Sequence, residues 1–216
     1  MQNLSTDLLA LVTGPDTYRM VKVDDNFAGA TVMQTSIDTS KIECDVEPIP
    51  GVGTQISTNY TCHCWALDSQ QPIVCTDMGD MLLLDFNGAF KAYLPESPRG
   101  FQIDSIFPFM RGIIVAGENG WIWTFEQNQS DSHPYKKMHE RIGEEESKDA
   151  SLMLSNITSM AISNAEDCLF FLTLTNQLMK VNIALDGTDP EETNFEYVHE
   201  QFHEGPITGM DICMRK

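Results

Sequence analysis

His199, Glu200 and His203 form a His-Glu-x-x-His pattern, which is the spacing found in zinc proteases. In that chemistry one helix presents both imidazoles to the metal, one turn apart, and the glutamate activates the metal-bound water. Gly205-Pro206 would end such a helix just after His203, and a third ligand would have to come from the 13 residues that follow His203. We keep zinc hydrolysis as an alternative and expect an outer strand here, with His203 in the turn that follows it.

Cys62-His63-Cys64, with Cys75 in the next apolar run, is a second group of possible metal ligands. Successive side chains of a strand point to opposite faces, so Cys62 and Cys64 would face one way and His63 the other. Because these three side chains cannot converge on one ion, we expect small buried thiols that pack within a sheet.

The remaining glycine and serine patterns contain no catalytic motif. Gly51-Val52-Gly53 lacks the later glycine and the Lys-Ser/Thr pair of a phosphate-binding loop, and no Gly-x-Ser-x-Gly elbow occurs. The sequence therefore predicts no catalytic residue, no cofactor and no small-molecule substrate.

The charge balance of the chain argues against anionic partners. Its 216 residues include 13 Lys and Arg but 32 Asp and Glu, which gives a net charge of −19. Such a charge repels nucleic acid and anionic membranes, so we expect neither as a partner, and it favours basic protein surfaces. With 42% hydrophobic residues, the chain has the composition and length of one globular domain.

The sequence also bears on the cellular compartment. The longest apolar runs, at residues 8–12 and 81–84, are far shorter than the roughly 18 residues that a membrane-spanning helix needs. The first residues lack the basic and apolar regions of a signal peptide. Six cysteines are too sparse for a disulfide framework, so we expect reduced thiols in the cytoplasm.

Four short hairpins dominate the hydrophobic pattern. In each, two apolar runs with the period of two that is typical of strands flank a short turn. Asn119-Gly120 is the strongest turn signal, because both residue types tolerate the positive φ of a type I′ turn. The hairpins span residues 8–23, 72–86, 111–126 and 167–183, with turns at Pro15-Asp16, Met78-Gly79, Asn119-Gly120 and Thr175-Asn176.

These hairpins belong to a larger repeating unit. Aligned at their turns, they place Thr17, Gly79, Gly120 and Gln177 at one position, about 40 to 60 residues apart. Further strand candidates begin at Cys62, Ile103, Asn156 and Pro206, ahead of successive units, and a more polar strand follows each hairpin. A strand, a hairpin and an outer strand that recur at this period are typical of the four-stranded blades of a β-propeller.

We therefore predict an all-β fold, a partial β-propeller with about three whole antiparallel blades and incomplete blades at both ends. Trp121 and Trp123 share a strand face and are predicted to pack between blades. Two alternatives stay open, a β-sandwich and a closed four-bladed ring in which the strand near Ile207 completes the first blade. The predicted limits are 8–36 for the incomplete blade, 60–95, 101–142 and 155–203 for the whole blades, and 206–216 for a further first strand.

Several segments resemble degenerate WD-repeat blades. They are TDMGDMLLLDF, GENGWIWTFE and FHEGPITGMDICMRK, and His203 stands where such repeats often have a histidine before the first strand. The order of CWALDSQQPIVCTDMGDMLLLDFNG, FMRGIIVAGENGWIWTFE and the final blade is similar to the propeller region of the axonemal WD-repeat proteins of the cilia- and flagella-associated protein 57 family, over residues 8–216. The third strands end in LLLDF, TFEQ and KVNI, without the usual Trp-Asp pair.

The resemblance implies a non-enzymatic protein-interaction scaffold in the axoneme of a cilium or flagellum. Members of this family help to dock inner dynein arms and regulatory complexes on the doublet microtubule, so other axonemal proteins are the implied partners. Full-length members also carry a long coiled coil, which is not found in this sequence. A zinc hydrolase, a catalytic propeller that uses central-channel residues and a small-ligand sensor are the alternatives.

Overall fold

The computed structural model describes ten segments and two single residues of the chain. These are residues 8–13, 18–23, 30–34, 59–67, 71–94, 97–98, 100–128, 135–141, 156–183 and 196–199, together with Ile207 and Met210. Glu200 and His203 lie outside them, as does most of the predicted strand at 206–216. Within the described segments, no helix is long and apolar enough to cross a bilayer.

Fifteen strands form four antiparallel sheets within these segments, and the strands of each sheet follow one another in chain order. The first sheet contains β1 (Leu8–Thr13), β2 (Tyr18–Val23) and β3 (Ala30–Gln34). The second contains β4 (Tyr60–Trp65), β5 (Pro72–Thr76), β6 (Met81–Leu84) and β7 (Phe90–Tyr93). The third contains β8 (Ile103–Phe109), β9 (Gly112–Gly117), β10 (Ile122–Gln127) and β11 (Tyr135–Arg141). The fourth contains β12 (Ile157–Ile162), β13 (Cys168–Thr173), β14 (Leu178–Asn182) and β15 (Glu196–His199).

The predicted all-β class and the four hairpins are confirmed. The hairpins are β1–β2, β5–β6, β9–β10 and β13–β14, and an outer strand pairs with the second strand of each. Every residue of β5, β6 and β9 is buried. Strands that are covered on both faces have continuous apolar sequences, because neither side of the pleat meets water.

Alternate side chains of the middle strands fill separate cores on the two sides of their sheet. Leu82 and Leu84 pack in the core shared with β1 and β2, whereas Leu83 packs in the core shared with the third sheet. In the third sheet, Ile113 packs in the core shared with the second sheet, and Ile114 packs in the core shared with the fourth. A sandwich has one core between two sheets, so the sandwich alternative is wrong for this stack of four.

The first strands of three sheets lie next to one another. β4 contacts β8, and β8 contacts β12. Each of these strands is at one edge of its sheet, and β7, β11 and β15 are at the other edge. Neighbouring sheets that meet along their first strands, with cores between their faces, are arranged as the blades of a β-propeller.

Trp121 and Trp123 lie in the core between the second and third sheets, which confirms that they pack between blades. Trp121 is 1% exposed, and its ring centroid is 5.8 Å from that of Trp123 in an edge-on arrangement. Aromatic pairs of this geometry add about 0.5–1.5 kcal/mol to the stabilisation from burial. The pair itself lies along one strand, and it is the burial of both rings in this core that stabilises the packing of the two sheets.

The turn between β9 and β10 differs from the predicted type I′ turn. Glu118–Gly120 form a single 3₁₀ turn, in which Gly120 has a φ of 71°. A 3₁₀ turn needs a negative φ at Asn119, so only the second of the two predicted positions is left-handed. The loop is longer than the two-residue loop for which type I′ turns are selected.

The same turn occurs between the second and third strands of the second, third and fourth sheets. Gly79, Gly120 and Asn176 occupy its left-handed position, with φ values of 81°, 71° and 61°. The sequence alignment placed Gln177 at this position, which is wrong by one residue. Asparagine tolerates the left-handed region better than most residues, because its short side chain makes local hydrogen bonds.

Each outer strand contains a register shift that inserts one extra residue. The extra residues are Met33, Lys91, Met138 and Val198 in β3, β7, β11 and β15. Because β3 shares this feature, β1 and β2 correspond to the second and third strands of a blade. The strands lie within the predicted blade limits, but the limits themselves stay predictions.

The segment after β15 is described only at Ile207 and Met210. The Met210 N–H donates a hydrogen bond to Ser159 Oγ of β12, at 3.2 Å. This contact places Met210 against the first strand of the fourth sheet. The strand predicted at 206–216 and the closed four-bladed ring both stay predictions.

Candidate interaction surface

The His-Glu-x-x-His segment begins in a strand. His199 is the last residue of β15 and pairs with Leu178 of β14, so the helix that the zinc-protease alternative requires does not form at this histidine. Glu200 and His203 lie outside the described residues. Among the residues that the structure describes, no three His, Cys, Asp or Glu side chains are grouped to hold a metal ion.

The cysteine group contributes to the core between the second and third sheets. Cys64 and Cys75 are buried there, Cys62 packs against them, and all three are free thiols. Burial raises the pKa values of the Cys64 and Cys75 thiols, so both stay protonated at neutral pH. In this core the thiols act as the small packing groups that the sequence predicted.

Repeated backbone hydrogen bonds join the start of the first strand to the turn of the hairpin in three sheets. In each, the N–H of the first turn residue donates to the carbonyl of the residue just before the first strand. The bonds are Asp77 N–H to Asn59 O at 3.0 Å, Glu118 N–H to Gln102 O at 3.3 Å, and Leu174 N–H to Asn156 O at 2.8 Å. We call this end of the sheets the upper rim.

A second repeated feature is a bulge near the start of each first strand, beside the upper rim. Ile103 pairs with Gly117 and Ser105 with Ala116, so β8 has one extra residue, Asp104, at its second position. Thr158 is the extra residue of β12. A corresponding shift lies between Tyr60 and His63 of β4. Such bulges turn a side chain away from the regular pleat.

Asp104 links the third and fourth sheets at this rim. Its carboxylate accepts a hydrogen bond from Gln102 Nε2 at 2.6 Å and another from the side chain of Asn156. Burial raises the pKa of Asp104 above the ordinary value of 3.8, and the nearby Glu118 carboxylate raises it further. The two hydrogen bonds act in the opposite direction because they stabilise the charged form.

The side chains on this shared backbone differ from sheet to sheet. The first turn position is acidic in the second and third sheets, at Asp77 and Glu118, and apolar in the fourth, at Leu174. Asn59 Nδ2 donates to the Asp77 carboxylate at 2.9 Å, and Leu174 is 67% exposed. The rim can therefore present hydrogen-bond acceptors, negative charge and one apolar contact to a partner.

The sequence reading did not identify the upper rim as a surface. The rim could have been recognised by aligning Thr76 with Gly117 and Thr173, because each of these residues stands just before an equivalent turn. Because the sequence alignment of the fourth hairpin is wrong by one residue, it does not place Leu174 at the same position as Asp77 and Glu118. No periodicity in the sequence indicates that these three positions share one end of the sheets.

Similarity to known proteins is found by sequence, although no protein-family profile matches the chain. The chain is 32% identical over 164 residues to cilia- and flagella-associated protein 57 A of Tetrahymena thermophila. The chain resembles a segment of cilia- and flagella-associated protein 57. The match covers 74% of the chain and 12% of that protein, so the chain spans about one eighth of the Tetrahymena relative. The mouse cilia- and flagella-associated protein 57 is 26% identical over 118 residues, which are 53% of the chain and 9% of that protein.

Solved structures show the same fold. Sqt1 from Chaetomium thermophilum superimposes with a TM-score of 0.59 at 13% identity, over 92% of the chain and 45% of Sqt1. Its complex with the N-terminus of the ribosomal protein L10 gives a TM-score of 0.50 at 16% identity, over 82% and 41%. The β-propeller domain of Myceliophteria thermophila Cps50 (Swd1) gives 0.53 at 13% identity, over 82% and 52%. The chain is thus a partial WD-repeat-like β-propeller.

Proposed function

We propose that this chain is a non-enzymatic interaction scaffold of the axoneme in a cilium or flagellum. In this role it holds components of the inner dynein arms or of their regulatory complexes and so supports ciliary motility. The similarity to cilia- and flagella-associated protein 57 supports the location. The observation that carries the role is the upper rim, where repeated hydrogen bonds hold variable side chains on a constant backbone.

Partner proteins would contact the upper rim through basic side chains. Asp77, Asp104 and Glu118 supply negative charge there, and Leu174 supplies an exposed apolar side chain. Electrostatic complementarity of this kind raises association rates and selects partners. The complex of Sqt1 with the N-terminus of L10 is an example of a protein segment bound by a propeller of similar fold.

The proposal is tested with the tagged chain in motile-ciliated cells whose membranes are removed before fractionation. The chain should stay with the axoneme, and quantitative mass spectrometry of the purified chain should show enriched inner-arm dyneins or their regulators. Asp77→Asn combined with Glu118→Gln should reduce this recovery roughly tenfold if the rim is the contact.

A matched control removes two negative charges elsewhere. Glu166 and Asp167 lie away from the upper rim, in the turn between β12 and β13 of the fourth sheet. Glu166→Gln combined with Asp167→Asn should leave recovery unchanged. Release of the unaltered chain with the membrane and matrix fraction, or equal recovery of both double variants, would overturn the proposal.

A further inference from the structure

Three cysteine side chains of the second sheet lie together in one core, on two neighbouring strands. Cys62 and Cys64 belong to β4, and Cys75 belongs to β5. Cys64 and Cys75 are part of the core between the second and third sheets, and Cys62 packs against it. All three are free thiols, which is the form that enters thiol–disulfide exchange.

The register of the two strands sets Cys75 beside the bulge of β4. The flanking ladder pairs are Tyr60 with Thr76 and His63 with Val74. Between these pairs β5 contributes only Cys75, whereas β4 contributes Thr61 and Cys62. Cys62 and Cys75 are therefore cross-strand neighbours whose side chains pack in the same core.

Cross-strand neighbours are within reach of a disulfide bond. Opposed residues of antiparallel strands have Cα atoms about 4.5–5.5 Å apart, inside the range of about 4.4–6.8 Å that a disulfide spans. Cys62 and Cys64 are two residues apart on one strand, which separates their Cα atoms by about 6.6 Å and points their side chains in the same direction. Cys75 is therefore the better partner for Cys62.

A hydrogen bond joins the side chains of Cys62 and Cys75. Burial raises the pKa of the Cys75 thiol, and the hydrogen bond to Cys62 raises it further. A hydrogen bond that raises this pKa stabilises the protonated thiol, so the Cys75 S–H donates to the Cys62 sulfur. The Cys62 S–H in turn donates to the Ile103 carbonyl of the third sheet, at 4.0 Å. The two sulfur atoms are thus in direct contact.

The three thiols differ in their access to solvent. Cys75 is fully buried and Cys64 is 7% exposed, whereas Cys62 is only partly buried. Burial also raises the pKa values of the Cys64 and Cys75 thiols, and the thiolate is the form that attacks a disulfide. An oxidant from the solvent therefore meets Cys62 first, with the Cys75 sulfur next to it.

We propose that Cys62 and Cys75 form a reversible disulfide bond when the chain meets a small-molecule disulfide such as oxidised glutathione. The Cys62 sulfur attacks one sulfur of the glutathione disulfide and displaces one glutathione, which takes up the proton of the Cys62 thiol. The Cys75 sulfur then attacks the Cys62 sulfur, and the second glutathione leaves with the Cys75 proton. Two protein thiols are oxidised in this exchange, and one glutathione disulfide is reduced to two glutathione molecules. This modification site goes beyond the proposed function and does not depend on it.

The test exposes the purified, fully reduced chain to glutathione disulfide and then blocks the remaining thiols with iodoacetamide. Cleavage before aspartate gives peptides 45–67 and 68–76, which separate Cys75 from Cys62 and Cys64. Mass spectrometry should show these two peptides joined, and dithiothreitol should release them. When the chain is unfolded with urea, this link should no longer dominate, because the pairing depends on the register of β4 and β5.

Variants identify the cysteines of the link. Cys64→Ala should keep it, whereas Cys62→Ala should abolish it and leave Cys75 without glutathione. Cys75→Ala should retain one glutathione on Cys62, because the sulfur that displaces it is missing. Cys168→Ala is the matched control, since Cys168 is a partly buried free thiol on β13 of the fourth sheet, and it should leave the link unchanged.

Three results would overturn the proposal. The first is a folded chain that forms no link between Cys62 and Cys75, or that simply keeps glutathione on Cys62. The second is a link that joins Cys62 mainly to Cys64. The third is an equal loss of the link in the Cys62→Ala and Cys64→Ala variants.

Discussion

The upper rim and β11, which forms the outer wall of the third sheet, hold charged side chains on supports of different kinds. At the rim, Asp77 and Glu118 stand on a backbone turn that recurs in three sheets and is fixed by equivalent hydrogen bonds. On the outer wall, Lys137 depends on one tryptophan ring that has no counterpart in the other sheets. A repeated backbone thus tolerates changes of side chain, whereas the outer wall is specific to one blade.

This difference separates two ways of holding a charged side chain on a propeller. At the rim, side-chain replacement alters charge or polarity and leaves the turn intact, as Leu174 shows in the fourth sheet. At the outer wall, the residue that positions the charge is also part of the core. Substitutions that displace the charge should therefore also lower stability at the wall, whereas at the rim the charge can change without loss of stability.

Replacing Trp123 should have the largest effect, because the ring supports both the core and Lys137. Trp123→Ala should lower the free energy of unfolding by about 3–5 kcal/mol, the usual cost of removing a buried aromatic side chain. Trp123→Phe should retain most of the packing while weakening the contact with Lys137. Urea denaturation followed by circular dichroism measures both changes, and similar stabilities for the two variants would contradict this account of the wall.

Gly117→Ala should have the next largest effect, at the upper rim. A Cβ at Gly117 would lie 2.0 Å from the Gln102 carbonyl oxygen, so the backbone would have to move. Overpacking against backbone costs about 3 kcal/mol, and urea denaturation should show a loss of this size. Unchanged stability would mean that the hairpin and the first strand are not held as closely as described.

Thr173→Val should have a smaller effect in the fourth sheet. Thr173 Oγ1 accepts a hydrogen bond from the Gln177 N–H at 3.2 Å, and Thr76 Oγ1 does the same for Asp80 at 3.0 Å in the second sheet. The valine leaves this donor without its acceptor, at a cost of about 1–3 kcal/mol. Thr173→Ser keeps the hydroxyl and should cost less. Equal losses for the two variants would show that the methyl group, and not the hydrogen bond, stabilises the turn.

Asp104→Asn should have the smallest effect, and that effect should depend on pH. The pKa of Asp104 is raised in the folded chain, so the folded state binds a proton more tightly than the unfolded state. This group therefore favours folding at low pH, and that contribution is lost as the pH rises through the folded pKa. The asparagine variant should gain stability relative to the unaltered chain as the pH rises from about 3 to 7, over the range in which carboxyl groups titrate. A stability difference that stays constant in denaturation at several pH values would contradict this.

Much of the fold could be predicted from the sequence, because the apolar runs of the four hairpins correspond to their strands. The paired runs around Met78-Gly79 and Thr175-Asn176 gave the correct hairpins, and the tryptophans of β10 gave the correct packing between sheets. The type of the Asn119-Gly120 turn was predicted wrongly. The residue types fit a two-residue loop, but the chain uses a longer loop with a 3₁₀ turn.

The candidate surfaces could not be predicted in the same way. The carboxylate of Asp104 meets Asn156 only because β8 and β12 are neighbours, and these residues are far apart in the chain. The support of Lys137 by Trp123 depends on the register of β10 and β11, which a bulge shifts by one residue. Register and the arrangement of the sheets are properties of the folded chain, and the apolar pattern does not encode them.

Zero-length carbodiimide cross-linking of intact axonemes tests the central claim most directly, since it joins only carboxylates and amines that are in contact. The account predicts that Asp77 or Glu118 becomes linked to a lysine of another axonemal protein, and that replacing both acids by their amides removes the link. Links confined to carboxylates away from the upper rim would contradict the account.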